Sequence, residues 1–327
     1  APLAKAESEH VAFVAFGFFS AGNYYNLIQR IDNNAGNYTI TIPAALVSNG
    51  IANISGLTLH KKYLFVASQT FGHGVNCQRY DTQANTWQDI GGGIVHFCAI
   101  RGLLYGINYN SDIFTVTNET AAGAATYTKI DTAGWDDSPA MPTCFVEYNG
   151  AGYIAKADGI YRFDGVKAQK ILRLYTKQLC VYNGAMYFFA GSWLYRFDGA
   201  NIVRLQYFGN QERASQLLGT DLSLSADSDN LYINTVVTTG GYAIIDKDDV
   251  AAVGLKRLYV YDGAAFYLWH ETDVTLGVSY TPAVAVISGF VYDIFGNTTG
   301  SYVWTSTVYT FNINFLFDPT KTESTSM

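Results

Sequence analysis

Two motifs recur in this chain at one and the same spacing. Tyr148-Asn149-Gly150 is matched by Tyr182-Asn183-Gly184, and the pentapeptide YRFDG from Tyr161 to Gly165 is matched by YRFDG from Tyr195 to Gly199, both 34 residues on. Two separate matches at a single offset mark an internal repeat. A repeat of this length restricts the chain to architectures in which like units stack side by side. The composition of the unit then selects among them. Asn-Gly suits a two-residue hairpin in which both central residues need positive φ, and Asp-Gly is expected to do the same one hairpin later. Between them lie short alternating runs such as AMYFFAG and SWLYRF, which read as half-buried strands. One repeat therefore holds four strands joined by hairpins.

The pattern recurs more loosely along the rest of the chain. LTLHKKYLFVAS leads to CQRYDTQANTWQDI, FCAIRGLLYGINY to SDIFTV and TYTKID, LSLSADSDNLYINTV to RLYVYDGAAFYLW, and AVAVISGFVYDIFG to SYVWTSTVYTFNI. VAFVAFGFF, NYYNLIQRI and NYTITIP supply three or four strands at the front. The reading is an all-β β-propeller of four-stranded antiparallel blades, seven in number, or six if the terminal units share one blade. Radial repetition closes the ring and leaves only short edges exposed. The expected organisation is an N-terminal arm over 1–9, a single propeller over 10–316 with an insertion at about 238–256, and a flexible tail over 317–327. No segment shows a sustained helical stripe; NQERASQLLG at 210–219 is expected to hold at most one or two helical turns. Gly91-Gly92-Gly93 and AGWDDSPAMP at 133–142 read as loops between blades.

Composition agrees. Aromatic residues reach 15%, with 25 Tyr, 20 Phe and 31 Gly, whereas charged residues make up only 14%. Tyr and Phe suit pleated surfaces and Gly the turns between them. The net charge of −7 makes a nucleic acid an unexpected partner. The charge is nevertheless uneven, with nine basic against four acidic residues between Lys156 and Arg213. That segment is either an ordinary solvated face or a docking face for an acidic partner.

Cys77, Cys98, Cys144 and Cys180 lack the spacing of a zinc site. Three of them precede repeat turns (HFCAIRG, PTCFVEYNG, QLCVYNG) and are expected as small buried core residues, in keeping with a reducing compartment. HVAFVAFGFF is about ten residues long and follows Glu7 and Glu9, so neither a secretory signal nor a membrane insertion is expected from it. The sequons at Asn37, Asn53, Asn118 and Asn297 arise readily in so Asn- and Thr-rich a chain and do not establish secretion.

The run Tyr80-Asp81-Thr82-Gln83-Ala84-Asn85-Thr86-Trp87 resembles the kelch blade signature, although the kelch double glycine is missing from most repeats. The unit YNG, then LYRFDG, then an outgoing strand, is similar to blades in propellers of bacteriophage tail and adaptor proteins, the podovirus tail nozzle among them. The close motifs span about 145–205, with an echo in YVYDG at 259–263. This resemblance implies a virion structural protein, assembled in a host cytoplasm.

Chemistry is sparse. His10, His60, His73, His96 and His270 share no register in the repeat, and His73 is expected in a Gly-flanked loop, where a ligand role is conceivable. Trp135 beside Asp136 and Asp137 is the most site-like patch, a sugar-stacking ring next to two carboxylates; adjacent residues are poorly placed to flank a glycosidic bond, so a binding loop or capped turn is expected. Asp227-Ser228-Asp229-Asn230 resembles half a calcium loop without the distal Glu and reads as a hairpin turn. Asp248 and Asp249 in the insertion read as solvated. Arg162 and Arg196, at equivalent places, could clamp carboxylates of a partner or pair with nearby Asp. Asn149, Gly150, Asp164, Gly165, Asn183, Gly184, Asp198, Gly199, Asp262 and Gly263 are assigned to structural turns. No GxSxG, phosphate-cradling loop or sialidase Asp-box occurs, and no catalytic residue, metal or cofactor is expected. The expected function is a non-enzymatic docking ring of a phage-like particle, a tail, adaptor or head-decorating subunit contacting other virion proteins or copies of itself. The alternatives are a carbohydrate- or receptor-binding propeller meeting a host surface glycan, extracellular in location, and, further off, a glycosidase.

Overall fold

A computed structural model describes residues 4–8, 11–20, 23–32, 36–40, 53–70, 73–121, 123–134, 141–208, 223–246, 249–276, 281–287, 290–299 and 303–312. The hairpin signals become strands throughout. The first sheet holds β1 (Ala4–Glu7), β2 (Val11–Ser20), β3 (Asn23–Asp32) and β4 (Gly36–Ile40). The second holds β5 (Asn53–His60), β6 (Tyr63–Thr70), β7 (His73–Asp81) and β8 (Thr86–Gly91). The third holds β9 (Ile94–Ile100), β10 (Leu103–Asn108), β11 (Asp112–Thr117) and β12 (Thr126–Thr132). The closely repeated units are the fourth sheet, β13 (Cys144–Tyr148), β14 (Ala151–Lys156), β15 (Gly159–Phe163) and β16 (Ala168–Leu172), and the fifth, β17 (Leu179–Tyr182), β18 (Ala185–Ala190), β19 (Trp193–Phe197) and β20 (Ile202–Tyr207). The sixth holds β21 (Ser223–Ala226), β22 (Leu231–Asp246), β23 (Asp249–Tyr261) and β24 (Phe266–Leu276), and a three-stranded sheet of β25 (Thr281–Ile287), β26 (Phe290–Thr299) and β27 (Val303–Asn312) follows.

Every sheet is an antiparallel meander in sequence order. The first strand of each lies against the first strand of the next: β1 against β5, then β9, β13, β17, β21 and β25 in turn, and β25 packs back on β1 and β2. First strands therefore line the axis, fourth strands face outward, and the chain is a β-propeller. Among the described residues it has six complete four-stranded blades, the alternative count, and the last sheet is one strand short of the seventh four-stranded unit expected.

The core is layered between blades. Tyr148, Ala151, Tyr153 and Ile160 of blade 4 pack with Leu179, Met186, Phe188 and Phe197 of blade 5. Similar layers join blades 1 and 2 through Phe13, Ile28, Leu57 and Tyr80, and blades 5 and 6 through Tyr187, Phe208, Leu224 and Ile233. Alternation explains this. In AMYFFA nearly every side chain is buried because both faces of a middle strand meet a neighbouring blade. Truncating one such Phe to Ala costs about 3–5 kcal/mol.

Several expectations are corrected. The arm expected over 1–9 is not separate from the ring: Ala4–Glu7 pair with Ala12–Ala15 as the inner strand of blade 1, since AKAE alternates in step with β2. The stretch at about 238–256, expected as an insertion, prolongs the β22–β23 hairpin, whose ladder runs on to Asp246 and Asp249. The Asn-Gly and Asp-Gly turns do different work. Asn149 and Gly150 (φ 49° and 70°) and Asn183 and Gly184 (φ 43° and 68°) form two-residue turns with both φ positive. The YRFDG turns are longer: the Asp164 carboxylate accepts the N–H groups of Val166 and Lys167 at 2.9 and 2.8 Å, and Asp198 accepts those of Ala200 and Asn201 at 3.1 and 2.7 Å. Asp262 does the same for Ala264 and Ala265, so here the Asp side chain, not a left-handed pair, makes the turn. Cys77 and Cys98 are buried, as core residues should be, but Cys144 and Cys180 are half-buried. The stretch 210–219 and the tail 317–327 lie outside the described residues.

Candidate functional site

A four-stranded meander puts its first and third turns at one end and its second turn, with the exit to the next blade, at the other. The ring therefore has a turn face and an exit face, each assembled from every blade.

On the turn face four of the blades hold their successors. Arg30 Nη1 of blade 1 donates to the Thr82 carbonyl of blade 2 at 3.1 Å. Arg79 of blade 2, buried and laid over the Tyr63 ring at 4.5 Å, donates to the Glu119 and Ala121 carbonyls of blade 3. Lys61 bonds the Glu119 carboxylate at 2.9 Å. The tyrosine of each YNG reaches forward as well: Tyr148 Oη donates to the Gly184 carbonyl at 2.8 Å, and Tyr182 Oη to that of Asp229 at 2.6 Å. Burial, then neighbouring Tyr187 and Asp227, push the Tyr182 phenol up to about 12, so it stays a donor. Asp81 is held down to about 2 by Lys62 and by the Ala84 N–H. Asp227 accepts the N–H groups of Asp229 and Asn230 at 2.8 and 2.7 Å, so the half calcium loop is a capped turn. These bonds are spent within the ring and fix the turns in place.

On the exit face, Lys156 is buried and donates to the Ala133 carbonyl at 2.8 Å. Its ammonium and that of Lys170 each lie 5.2 Å from the Tyr161 ring centre, and the Tyr161 hydroxyl donates to Asp158 at 2.6 Å. Burial works against ionisation of Asp158, but Lys170 and Tyr161 outweigh it and hold the carboxyl below its usual range. Gly134 abuts this cluster; a Cβ there would sit 2.4 Å from Tyr161 Oη. Trp135, Asp136 and Asp137 follow directly in sequence but lie outside the described residues, as do the positions of His10 and Asp248. His73 is not in a loop. It opens β7 and pairs with Thr70, because the β6–β7 ladder takes in Gly74, opposite Gln69, and runs on to His73. His96 is buried on β9 against the Pro142 carbonyl at 2.9 Å, and burial lowers its pKa to about 4.

Arg162 and Arg196 occupy one register, opposite Tyr153 and Tyr187. Arg196 lies 3.6 Å from Asp198, and Arg162 is exposed within coulombic reach of Asp164. They stand at equivalent positions on neighbouring blades. Among the described residues no three His, Cys, Asp or Glu side chains are grouped as metal ligands, and no helix is long and apolar enough to cross a membrane.

The outward flank beside these arginines holds what motif reading missed. Ile202 and Val203 on β20 and Tyr267 and Leu268 on β24 are exposed. Trp193 packs against Tyr207 with ring centres 5.2 Å apart, and the Arg204 guanidinium lies 4.2 Å from the Trp193 ring. A signal was available: IV and FYL interrupt the alternation that a fourth, outward strand should keep.

No protein-family model and no curated protein matches this sequence. Among solved structures, a chain of the mitotic checkpoint complex is similar at a TM-score of 0.57 and 12% identity, over 94% of this chain and 89% of that one. The phage phi92 endosialidase is similar at 0.54 and 12%, over 98% of this chain and 68% of that one. Saccharomyces cerevisiae Sqt1 is similar at 0.52 and 11%, over 96% and 83%. At such identities the likeness is one of fold.

Proposed function

We propose that this chain is a non-enzymatic docking ring, a structural subunit of a phage-like particle that presents fixed loop faces to other virion proteins or to copies of itself. The observation that carries the docking role is the blade-to-blade clamping of the turn face by Arg30, Arg79, Tyr148 and Tyr182. A surface whose turns are already ordered gives up little conformational freedom on binding, which favours recognition over motion-dependent chemistry. Five carboxylates of the described blades, Asp81, Asp164, Asp198, Asp227 and Asp262, are engaged in accepting turn N–H groups. The phage assignment draws on the YNG and YRFDG blade pattern, which resembles propellers of tail and adaptor proteins. On this reading the protein is a virion component, assembled in the host cytoplasm. Mass spectrometry of purified particles should find the chain in stoichiometric amount, and portal, capsid or tail genes should lie beside its own. Particles that lack it overturn the assignment.

A second reading, a carbohydrate- or receptor-binding propeller, is favoured by the Trp193–Arg204–Tyr207 stack, since an outward indole beside a guanidinium suits a sugar ring with an acidic substituent. Binding on a glycan array that is competed by a simple sugar and lost in Trp193→Ala would establish it over the first.

A further inference from the structure

Six of the seven sheets end in a fourth, outer strand, whereas the last sheet ends on its third, β27 (Val303–Asn312). Among the described residues no strand lies outside β27, so the edge that third strands elsewhere bond to a fourth is open there. An open edge offers a row of N–H and C=O groups to any passing strand, and chains guard such edges with charge, proline, bulges or short length. β27 has none of these guards. It is ten residues long and reads VWTSTVYTFN, with no charged residue and no proline. Its ladder with β26 runs from Val303 to Asn312 without a shift in register.

The outer strands of the complete blades show what a guard looks like. Asp89 lies at the middle of β8, Lys129 of β12, Lys170 of β16, Arg204 of β20 and Glu271 of β24. A twofold axis that pairs an edge strand with its own copy makes the pair antiparallel and lays middle on middle. Each of these five strands would then bring a charge against its own like, which destabilises a cross-strand pair. Lys129 and Glu271 are also bonded within their blades, to Asp112 at 2.7 Å and to Arg257 at 2.6 Å, and pairing would strip water from those ions. β4, the outer strand of blade 1, is uncharged but only five residues long, and Pro43 follows soon after it.

The middle of β27 is Thr307 and Val308. A copy of β27 laid antiparallel on it meets no charge along its whole length, and most of its residues are the β-branched and aromatic types that strands favour. We propose that β27 is the contact between two copies of the chain, paired edge to edge across a twofold axis at the rim, so that each supplies the outer strand that the other's last sheet lacks. Two three-stranded sheets become one of six strands. The turn face and the exit face stay open to other partners. The proposal rests on the docking-ring reading, in which copies of the chain are one partner; the particle assignment is decided separately, by the composition of virions.

The test is sedimentation velocity of the full chain from about 1 to 100 µM, a range that spans weak and moderate self-association. A monomer–dimer equilibrium is expected, and it should not weaken in about 0.5 M salt, where charge pairing is screened, because no charges meet across the axis. Thr307→Lys and Thr307→Glu each set like charges near the axis and should weaken the dimer about tenfold or more. Mixing the two variants should restore it in a salt-sensitive form, which a misfolded chain could not do. Amide hydrogen exchange over 303–312 should slow with rising concentration in the unaltered chain and not in Thr307→Lys. A full chain that stays monomeric throughout overturns the proposal and leaves the edge to residues 313–327 or to another protein. So does an oligomer that both variants keep, or a mixture of the two that stays monomeric.

Discussion

The layered core makes one coupling measurable. Tyr105 on β10 and Phe163 on β15 belong to different blades, and their rings meet edge-on with centres 5.3 Å apart at 75°. Both are buried, Phe163 completely. Changing either to Leu removes part of a packed ring but keeps an apolar side chain, and should cost about 1–2 kcal/mol each, in the range of volume-reducing core changes. The pair itself contributes about 0.5–1.5 kcal/mol beyond the area it buries. Tyr105→Leu, Phe163→Leu and the double variant should be compared by urea denaturation followed by fluorescence and circular dichroism, with the m value checked for constancy. The double variant should lose less than the sum of the singles by that coupling. The pair Tyr105 and Phe208, which sits between blades 5 and 6, should instead be additive. Additivity of Tyr105 with Phe163 to within about 0.5 kcal/mol would refute the reasoning, because the rings could not then share an interface.

Tyr182→Phe removes the bond from blade 5 to the Asp229 carbonyl and should lower stability by about 1 kcal/mol, read from the denaturation midpoint; no change would show that the clamp is idle. At Asn183, where φ is 43°, Ala should cost about 1–2 kcal/mol and Gly almost nothing, and equal losses would rule out the two-residue turn. His96 has a pKa lowered from 6.5 to about 4 by burial, so between those values the unfolded chain binds a proton that the folded chain does not. Stability should therefore fall as pH drops from about 6.5 to 4, by on the order of 3 kcal/mol, and the slope should flatten in His96→Gln. An unchanged slope in that variant would assign the acid sensitivity elsewhere.

Much of the fold could be read because turn chemistry is local. Asn149-Gly150 and Asn183-Gly184 need positive φ whatever surrounds them, and the strands between turns are short enough that few alternatives exist. The YRFDG turns were misassigned in kind because Asp-Gly serves two geometries, and only the four-residue spacing to β16 and β20 shows that the carboxylate makes the turn. Residues 4–7 were read as an arm because four residues carry too little periodicity to announce a strand that β2 completes. The clamps were illegible for a different reason. Arg79, Lys156 and Tyr182 bond to backbone carbonyls of other blades, and a carbonyl has no signature in sequence. The exposed apolar residues sit between these cases: the broken alternation at Ile202 and Val203 is visible in the sequence, but that Tyr267 and Leu268 hold the equivalent place on the next blade follows only from the strand register.

Gln169, Val203 and Tyr267 are exposed and stand at one register of three consecutive blades, opposite Arg162, Arg196 and Val260. Cysteines at these positions, in a background with the four native cysteines changed to alanine, can carry spin labels for pairwise distance measurement. Blades set around an axis predict equal distances for 169–203 and 203–267, and a 169–267 distance about 1.7–1.8 times either one, as six or seven blades in a circle require. A 169–267 distance of twice the step, as in a flat array, or one shorter than the step, as in two sheets folded face to face, would contradict the ring.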